Sequence, residues 1–240
     1  MKKNIATKIL SVILVIIVGV VPLSDFAGMV LPNYGDFTIK AEAATDNVYG
    51  YKISSAGEVT ITDFYENTEH DIVIPTRIAG YPVVEIGDNA FSNAKNLSSV
   101  VIPEGVKIIG AKAFDNCAYL RSVTIPNTVE MIESEAFFGC QTLTDLNLGT
   151  GVKTIGNLAF HFCSHLEEIT IPKSTTNLAT DAFTSCSSLK RILVSEGNTV
   201  YSNDDHGVLF NKDKTMLLKC PSGFKKTSYT IPNSVKKLET

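Results

Sequence analysis

The chain has 240 residues, of which 44% are hydrophobic and 19% are charged, and its formal net charge at pH 7 is −4. This composition is typical of a folded protein with a sizeable core and excludes an extended disordered chain. Beyond the N-terminus the sequence has no block of Lys and Arg residues. A nucleic-acid partner, which would require clustered cations, is therefore not expected.

Residues 1–43 have the features of a secretory signal peptide. The chain begins with a positively charged region that contains Lys2, Lys3 and Lys8. An apolar run from Ile9 to Val21 follows, and it is shorter than the roughly 18–20 residues of a membrane-spanning helix. The Ala41-Glu42-Ala43 segment suits a cleavage site, with cleavage nearer Ala27 and an uncleaved anchor as alternatives. We therefore expect an exported protein that meets the membrane only through this segment.

Residues 44–71 are predicted to form an N-terminal capping hairpin. Two stretches of alternating apolar and polar residues lie on either side of Ser55-Ala56-Gly57, which is typical of two strands joined by a tight turn. A repeat protein requires such a cap because its first unit would otherwise expose one side of the core.

A repeat of 23 residues dominates residues 72–194. The pair Ala-Phe recurs at this spacing, and its phenylalanines are Phe91, Phe114, Phe137, Phe160 and Phe183. Each unit also contains the pattern L-x-x-V-x-I-P, whose alternating apolar residues predict a short strand that is buried on one face. Proline then ends the strand, since it offers no N–H group to a neighbouring strand. We expect a short helical turn at each Ala-Phe pair.

The units are predicted to stack because no single unit can bury its own apolar side chains. Strands of successive units would then pair in parallel, about 4.8 Å apart. The fold class is thus an α/β repeat, a solenoid with parallel strands stacked coil on coil. Between the first two Ile-Pro pairs the step is longer, and we assign the extra residues to a loop at 77–82.

The sequence Val123-Thr-Ile-Pro-Asn-Thr-Val-Glu-Met-Ile-Glu-Ser-Glu-Ala-Phe-Phe-Gly-Cys140 resembles the bacterial leucine-rich repeat of the BspA-like surface-protein family. The resemblance covers residues 72–194 and resumes at Tyr229-Thr-Ile-Pro. It implies a leucine-rich-repeat solenoid and a secreted or cell-surface protein engaged in adhesion or recognition. The repeat predicts the fold specifically but leaves the partner open, since one fold serves many partners.

Two segments follow the regular repeats. Residues 195–230 do not match the repeat, and we expect a β-hairpin insertion with its turn at 211–214, similar to an insertion in the same family. Residues 231–240 begin a further repeat, because Val235 and Leu238 match its apolar positions. No Ala-Phe pair follows them, so we expect the natural protein to continue beyond this chain.

Four of the five cysteines occupy one column of the repeat: Cys117, Cys140, Cys163 and Cys186. Ala94 fills the same position in the first unit, which favours a rule of small buried side chains over a set of metal ligands. We therefore predict a structural core ladder of these cysteines and the five phenylalanines. A disulfide stack in an oxidising compartment is the alternative.

No motif of a catalytic site or phosphate-binding loop is present, so we predict no catalytic residues and no cofactor. His161, Cys163 and His165 provide at most three zinc ligands, and the positions of both histidines vary between units. We expect no metal site there. The run Asp204-Asp205-His206 is interpreted as a solvated turn.

The candidate binding face consists of the strand residues that alternate with the buried ones. One column consists of Ser99, Ser122, Asp145, Glu168 and Arg191. The next column begins with Val101 and ends with Leu193, and its polar members are the candidate residues Thr124, Asn147 and Thr170. Stacking would place them on a regular grid that suits an extracellular protein or glycan ligand. Two alternatives remain: a structural spacer or targeting module of a larger exported protein, and an exported enzyme whose catalytic domain lies beyond residue 240.

Overall fold

The computed structural model describes residues 48–65, 70–226 and 228–239, together with the backbone of β1 (Phe37–Ile39). The signal peptide expected at 1–43 lies outside these residues, apart from that strand. In the described part of the chain, no helix is long and apolar enough to cross a membrane.

Each coil contributes one strand to each of two sides of the solenoid. The first side comprises β4 (Asp71–Val73), β7 (Ser99–Val101), β9 (Ser122–Thr124), β11 (Asp145–Asn147), β13 (Glu168–Ile171) and β15 (Arg191–Val194). The second side comprises β6 (Tyr81–Ile86), β8 (Ile108–Ile109), β10 (Met131–Ile132), β12 (Thr154–Ile155) and β14 (Asn177–Leu178). Where strands of successive coils pair, they do so in parallel on both sides, as the sequence predicts.

The third side of each coil consists of turns, and no helix occurs among the described residues. The short helical turn expected at each Ala-Phe pair is therefore wrong in detail. A helix needs consecutive N–H groups that bond within it, whereas here every second N–H group bonds to the next coil and the N–H groups between them bond within the turn. The Phe137 N–H, for example, donates to the Ala159 carbonyl of the next coil at 2.8 Å. The turns also require left-handed backbone, with φ of 55° at Asn116 and 70° at Gly139.

The core is a continuous stack of the repeated apolar side chains. The five Ala-Phe phenylalanines are at most 1% exposed, and their rings lie over one another with centroids 4.8 to 5.6 Å apart. Around Phe137 the stacked rings are within 3° of parallel. Each coil therefore supplies the packing surface that its neighbour lacks.

An antiparallel hairpin covers the first coil. Its strands are β2 (Tyr49–Ile53) and β3 (Val59–Phe64), and β3 pairs in parallel with β6. Phe64 extends the aromatic stack, since its ring lies 4.9 Å from that of Phe91. The loop expected at 77–82 is a tight hairpin in which β5 (Arg77–Ile78) pairs with the start of β6.

The segment after the last regular coil adds strands of its own. β16 (Tyr201–Asn203), β17 (Leu209–Asn211) and β18 (Met216–Lys219) pair antiparallel in turn, so the insertion has one strand more than the expected hairpin. Its contact with the solenoid includes the Tyr201 hydroxyl, which accepts the Leu178 N–H at 2.9 Å. β18 then pairs in parallel with β19 (Lys237–Leu238), which belongs to the predicted further repeat.

Candidate recognition face

Strand pairing places the predicted binding residues in register, one row for each coil. Ser99 lies opposite Ser122, and Ser122 lies opposite Asp145. Glu168 lies opposite Arg191. The second column is aligned in the same way, with Thr124 opposite Asn147 and Thr170 opposite Leu193 in their respective pairs. Asp145, Glu168, Arg191, Thr124, Asn147 and Thr170 are exposed, and the two serines are half-buried.

The face is divided between β11 and β13, where no strand pairing occurs. The β11 coil has Gly149 where its neighbours have proline, and its backbone lies very close to the previous coil. A Cβ atom on Gly149 would collide with the Pro126 carbonyl oxygen, and one on Gly151 would collide with the Asn127 carbonyl oxygen. Only glycine permits this approach. Because β11 and β13 do not pair, the structure brings Ser99, Ser122 and Asp145 together, and Glu168 and Arg191 form a separate pair.

Polar groups on the face bond mainly to their neighbours along the column. The Ser99 hydroxyl donates to Asp71 at 2.6 Å, and the Ser122 hydroxyl donates to Asp145 at 3.4 Å. Arg191 and Glu168 form an ion pair at 3.3 Å. Asp71 extends the column by one coil. It was not predicted, although Ile72 and Ile74, which follow it at the apolar positions of the strand, already placed it in this register.

The predicted cysteine ladder lies inside the solenoid beside the phenylalanine stack. All four thiols are fully buried and free of disulfide bonds, and each Sγ donates to a phenylalanine carbonyl at 3.1 to 3.3 Å. Burial raises the pKa of the Cys140 and Cys163 thiols well above their usual value, and that of Cys186 to about 12. Since the thiolate is the reactive form, we expect these thiols to react slowly in the folded protein at neutral pH.

The three residues considered as zinc ligands contact different partners. His161 stacks on Phe138 with ring centroids 5.0 Å apart, and His165 Nδ1 lies 2.7 Å from the Gln141 carbonyl oxygen. Cys163 donates to the Phe137 carbonyl. Within the described residues, no group of three or more His, Cys, Asp or Glu side chains is placed to hold a metal ion.

Asp204, Asp205 and His206 form a turn, as the sequence indicates, and Asp205 is exposed, but the side chain of Asp204 is held by hydrogen bonds within the protein. Its carboxylate accepts the Tyr229 hydroxyl at 2.6 Å and the N–H groups of His206 and Val208 at 2.9 Å. Burial acts to raise the pKa of Asp204, but these hydrogen bonds outweigh it and hold the pKa below its ordinary value of 3.8. The carboxylate therefore joins the turn at 204–207 to the C-terminal end of the insertion at Tyr229.

A groove that the sequence did not predict adjoins the face at Arg191. It measures about 400 Å³ and runs between the last regular coil and the insertion. Lys190 and His206 lie on its walls together with Phe224, Lys225 and Lys226. Most of these residues are outside the repeat, so no periodic register could have placed them next to Arg191.

Comparison with known proteins identifies the repeat. The BspA type leucine rich repeat region matches residues 84–205 in 6 copies, which is half of the chain. The protein therefore belongs to the BspA-type leucine-rich-repeat family, as the sequence resemblance implies. None of the curated proteins compared with the chain matches it.

Solved structures of bacterial proteins share this architecture. The chain is similar to the leucine-rich-repeat protein TpLRR of T. pallidum, with 27% identity and a TM-score of 0.60 over 63% of this chain and 71% of that one. A leucine-rich-repeat protein of Bacteroides ovatus is 31% identical, with a TM-score of 0.56 over 63% of this chain and 44% of that one. The pneumococcal vaccine antigen PcpA is 25% identical, with a TM-score of 0.63 over 86% of this chain and 61% of that one. The match thus spans only part of the latter two proteins.

Proposed function

We propose that the protein is a non-catalytic recognition module, exported to the cell surface, that binds an extracellular protein or glycan through its sheet face. The observation that carries this function is the in-register display of exposed polar side chains on successive strands, such as Asn147 beside Thr124. Such a surface is extended rather than deep, which suits a macromolecule better than a small molecule.

Adhesion is the form of recognition that this face favours. Its polar groups are already engaged with one another, as in the Glu168–Arg191 ion pair. A ligand must compete with these contacts, so the affinity of a single site should be modest. Many copies on one cell would compensate, because multivalent attachment multiplies weak contacts.

An exported location is consistent with two observations. Residues 1–43 have the charged start, apolar run and small residues of a signal peptide. One similar protein is a pneumococcal vaccine antigen, and an antigen of this kind suits an accessible position on the cell.

A structural spacer is the second candidate. The same contacts that would weaken ligand binding stiffen the solenoid, since Ser99–Asp71, Ser122–Asp145 and Glu168–Arg191 all join one coil to the next. A rigid rod with a satisfied surface would hold another domain away from the cell without binding anything itself.

The two functions can be separated by reversing one ion pair on the face. In the double variant Glu168→Lys/Arg191→Glu the pair is kept but its polarity is exchanged, so the fold should be retained while the pattern of charge presented to a ligand changes. The matched control is Glu130→Lys/Lys153→Glu, which reverses a 2.7 Å ion pair at the same 23-residue spacing beside the other sheet.

The full chain and both variants, clustered on beads, are applied to an array of matrix proteins and glycans. We expect the wild type and the control to bind a shared ligand, and the face variant to bind it about tenfold less. Circular dichroism checks that all three are folded. If the wild type binds nothing, or if the face variant binds as well as the control, the sheet-face function is rejected and the spacer is favoured.

A further inference from the structure

We propose that the groove beside Arg191 binds an acidic saccharide, a sugar that carries a carboxylate or sulfate group. This ligand class rests on the recognition function proposed above and gives it a second contact area at the C-terminal end of the face. The ligand follows from the shape, charge and aromatic content of the groove.

Two glycines create the groove by letting later segments lie directly against the last regular coil. The Ile192 N–H donates to the Gly207 carbonyl at 2.9 Å, and the Gly223 N–H donates to the Leu189 carbonyl at 2.7 Å. A Cβ atom on Gly207 would lie 2.6 Å from Arg191 Cα, and φ at Gly207 is 76°. Glycine is therefore required for the insertion to approach this strand. The walls are held by these backbone hydrogen bonds and form an open groove.

The groove is positively charged although the whole chain has a net charge of −4. Four cations line it, namely Lys190, Arg191, Lys225 and Lys226, against the single carboxylate of Asp205. Lys190 and Arg191 each form an ion pair with a glutamate of the previous coil, with N–O distances of 2.6 and 3.3 Å. Lys225 and Lys226 are exposed and form no ion pair within the described part of the chain. Lys225 lies near enough to Glu167 to help lower the pKa of that carboxyl. Neither lysine is held in an ion pair with a described residue, so both are available to an anionic group.

Aromatic rings form the apolar part of the site. Phe224, His206 and Tyr229 contact one another edge to face, with ring centroids 5.7 to 6.3 Å apart. The Tyr229 hydroxyl is fixed by its 2.6 Å hydrogen bond to Asp204, and Phe224 and His206 are half-buried on the groove wall. A half-buried ring next to free ammonium groups suits a ligand with an apolar face and an acidic substituent, which describes the ring of an acidic sugar.

The surroundings disfavour an acidic peptide. An extended peptide gains affinity by pairing with a free strand edge. The outer edge of β15 is already occupied, because the Ile192 N–H bonds to Gly207 and the Val194 N–H bonds to the Asn203 side chain at 2.8 Å. A volume of about 400 Å³ is also near the lower end of the range for compact ligands. One or two sugar units at the end of a glycan would fit this space.

The test measures binding of four probes to the full chain by calorimetry at low salt. The probes are sialyllactose, which carries a carboxylate, a sulfated heparin hexasaccharide, neutral lactose and a poly-glutamate peptide. We expect one or both acidic saccharides to bind at least tenfold more tightly than lactose and the peptide, and to weaken as salt screens the charges. The better of the two acidic probes identifies the anionic group.

The variant Lys225→Gln/Lys226→Gln should bind the acidic saccharide about tenfold more weakly than the wild type. The control Lys107→Gln/Lys173→Gln removes two exposed lysines outside the groove and should bind normally. Equal binding by both variants, tighter binding of the peptide, or no preference over lactose would overturn the acidic-saccharide site. If the wild type captures a matrix protein on the array but no acidic saccharide, only the groove site fails. If it binds no probe and nothing on the array, the recognition function fails as well.

Discussion

Truncation of one ring in the aromatic stack should destabilise several coils at once. Phe137 is 0% exposed and lies between Phe114 and Phe160, with ring centroids 5.1 and 5.3 Å away. Phe→Ala changes in a core cost about 3–5 kcal/mol. We place Phe137→Ala at the upper end, because it removes two stacked aromatic contacts worth about 0.5–1.5 kcal/mol each. At about 2–4 °C per kcal/mol for a chain of this size, the melting temperature should fall by about 10 °C or more.

Thermal and urea unfolding, followed by circular dichroism, measure this loss. The control is Tyr119→Ala, since Tyr119 is a large aromatic residue on a turn but is 61% exposed. Its removal should change the free energy of unfolding by no more than about 0.5 kcal/mol. If Phe137→Ala changed the free energy of unfolding as little as Tyr119→Ala does, the stacked rings would not be what stabilises the solenoid.

Three further outcomes follow from the structure. A thiol reagent should label only the exposed Cys220 quickly in the folded protein and all five cysteines in denaturant; rapid labelling of any second thiol would contradict the buried ladder. Gly149→Ala should lower the free energy of unfolding by more than about 1 kcal/mol, because its Cβ would collide with the Pro126 carbonyl, whereas an unchanged urea midpoint would refute that contact. Asp204 contributes stability above its ordinary pKa of 3.8, and this is lost as the pH falls through the lower pKa of the folded state. Asp204→Asn should therefore reduce stability at pH 7 and flatten its decline below pH 4, and an unaltered pH profile would argue against the Tyr229 contact.

The 23-residue spacing by itself determined the coil and its interior. Because a residue and its equivalent in the next unit occupy the same position in successive coils, one repeat length predicts which side chains stack. This places the Phe137 column and the Cys140 column in the core, where both are buried. The same register aligned the outward residues, so that Ser122 lies opposite Asp145.

The local sequence pattern did not predict the backbone conformation where an N–H group can bond either within its own turn or to the next coil. The Ala-Phe segment has residues that tolerate a helical turn, yet the Phe137 N–H bonds to Ala159 of the neighbouring coil instead. The spacing likewise did not reveal the break in strand pairing between β11 and β13, because both strands keep the register of the repeat.

The presence of the groove depends entirely on the tertiary structure. Arg191 belongs to the repeat, whereas Lys225 and Lys226 lie in the segment that interrupts it, so the distance along the chain carries no information about their proximity in space. They meet because Gly207 and Gly223 allow the insertion to lie against β15, and because Asp204 ties that insertion to Tyr229. The repeated units follow from a period in the sequence, but a site formed once, between a repeat and an interruption, depends on contacts that only the folded chain makes.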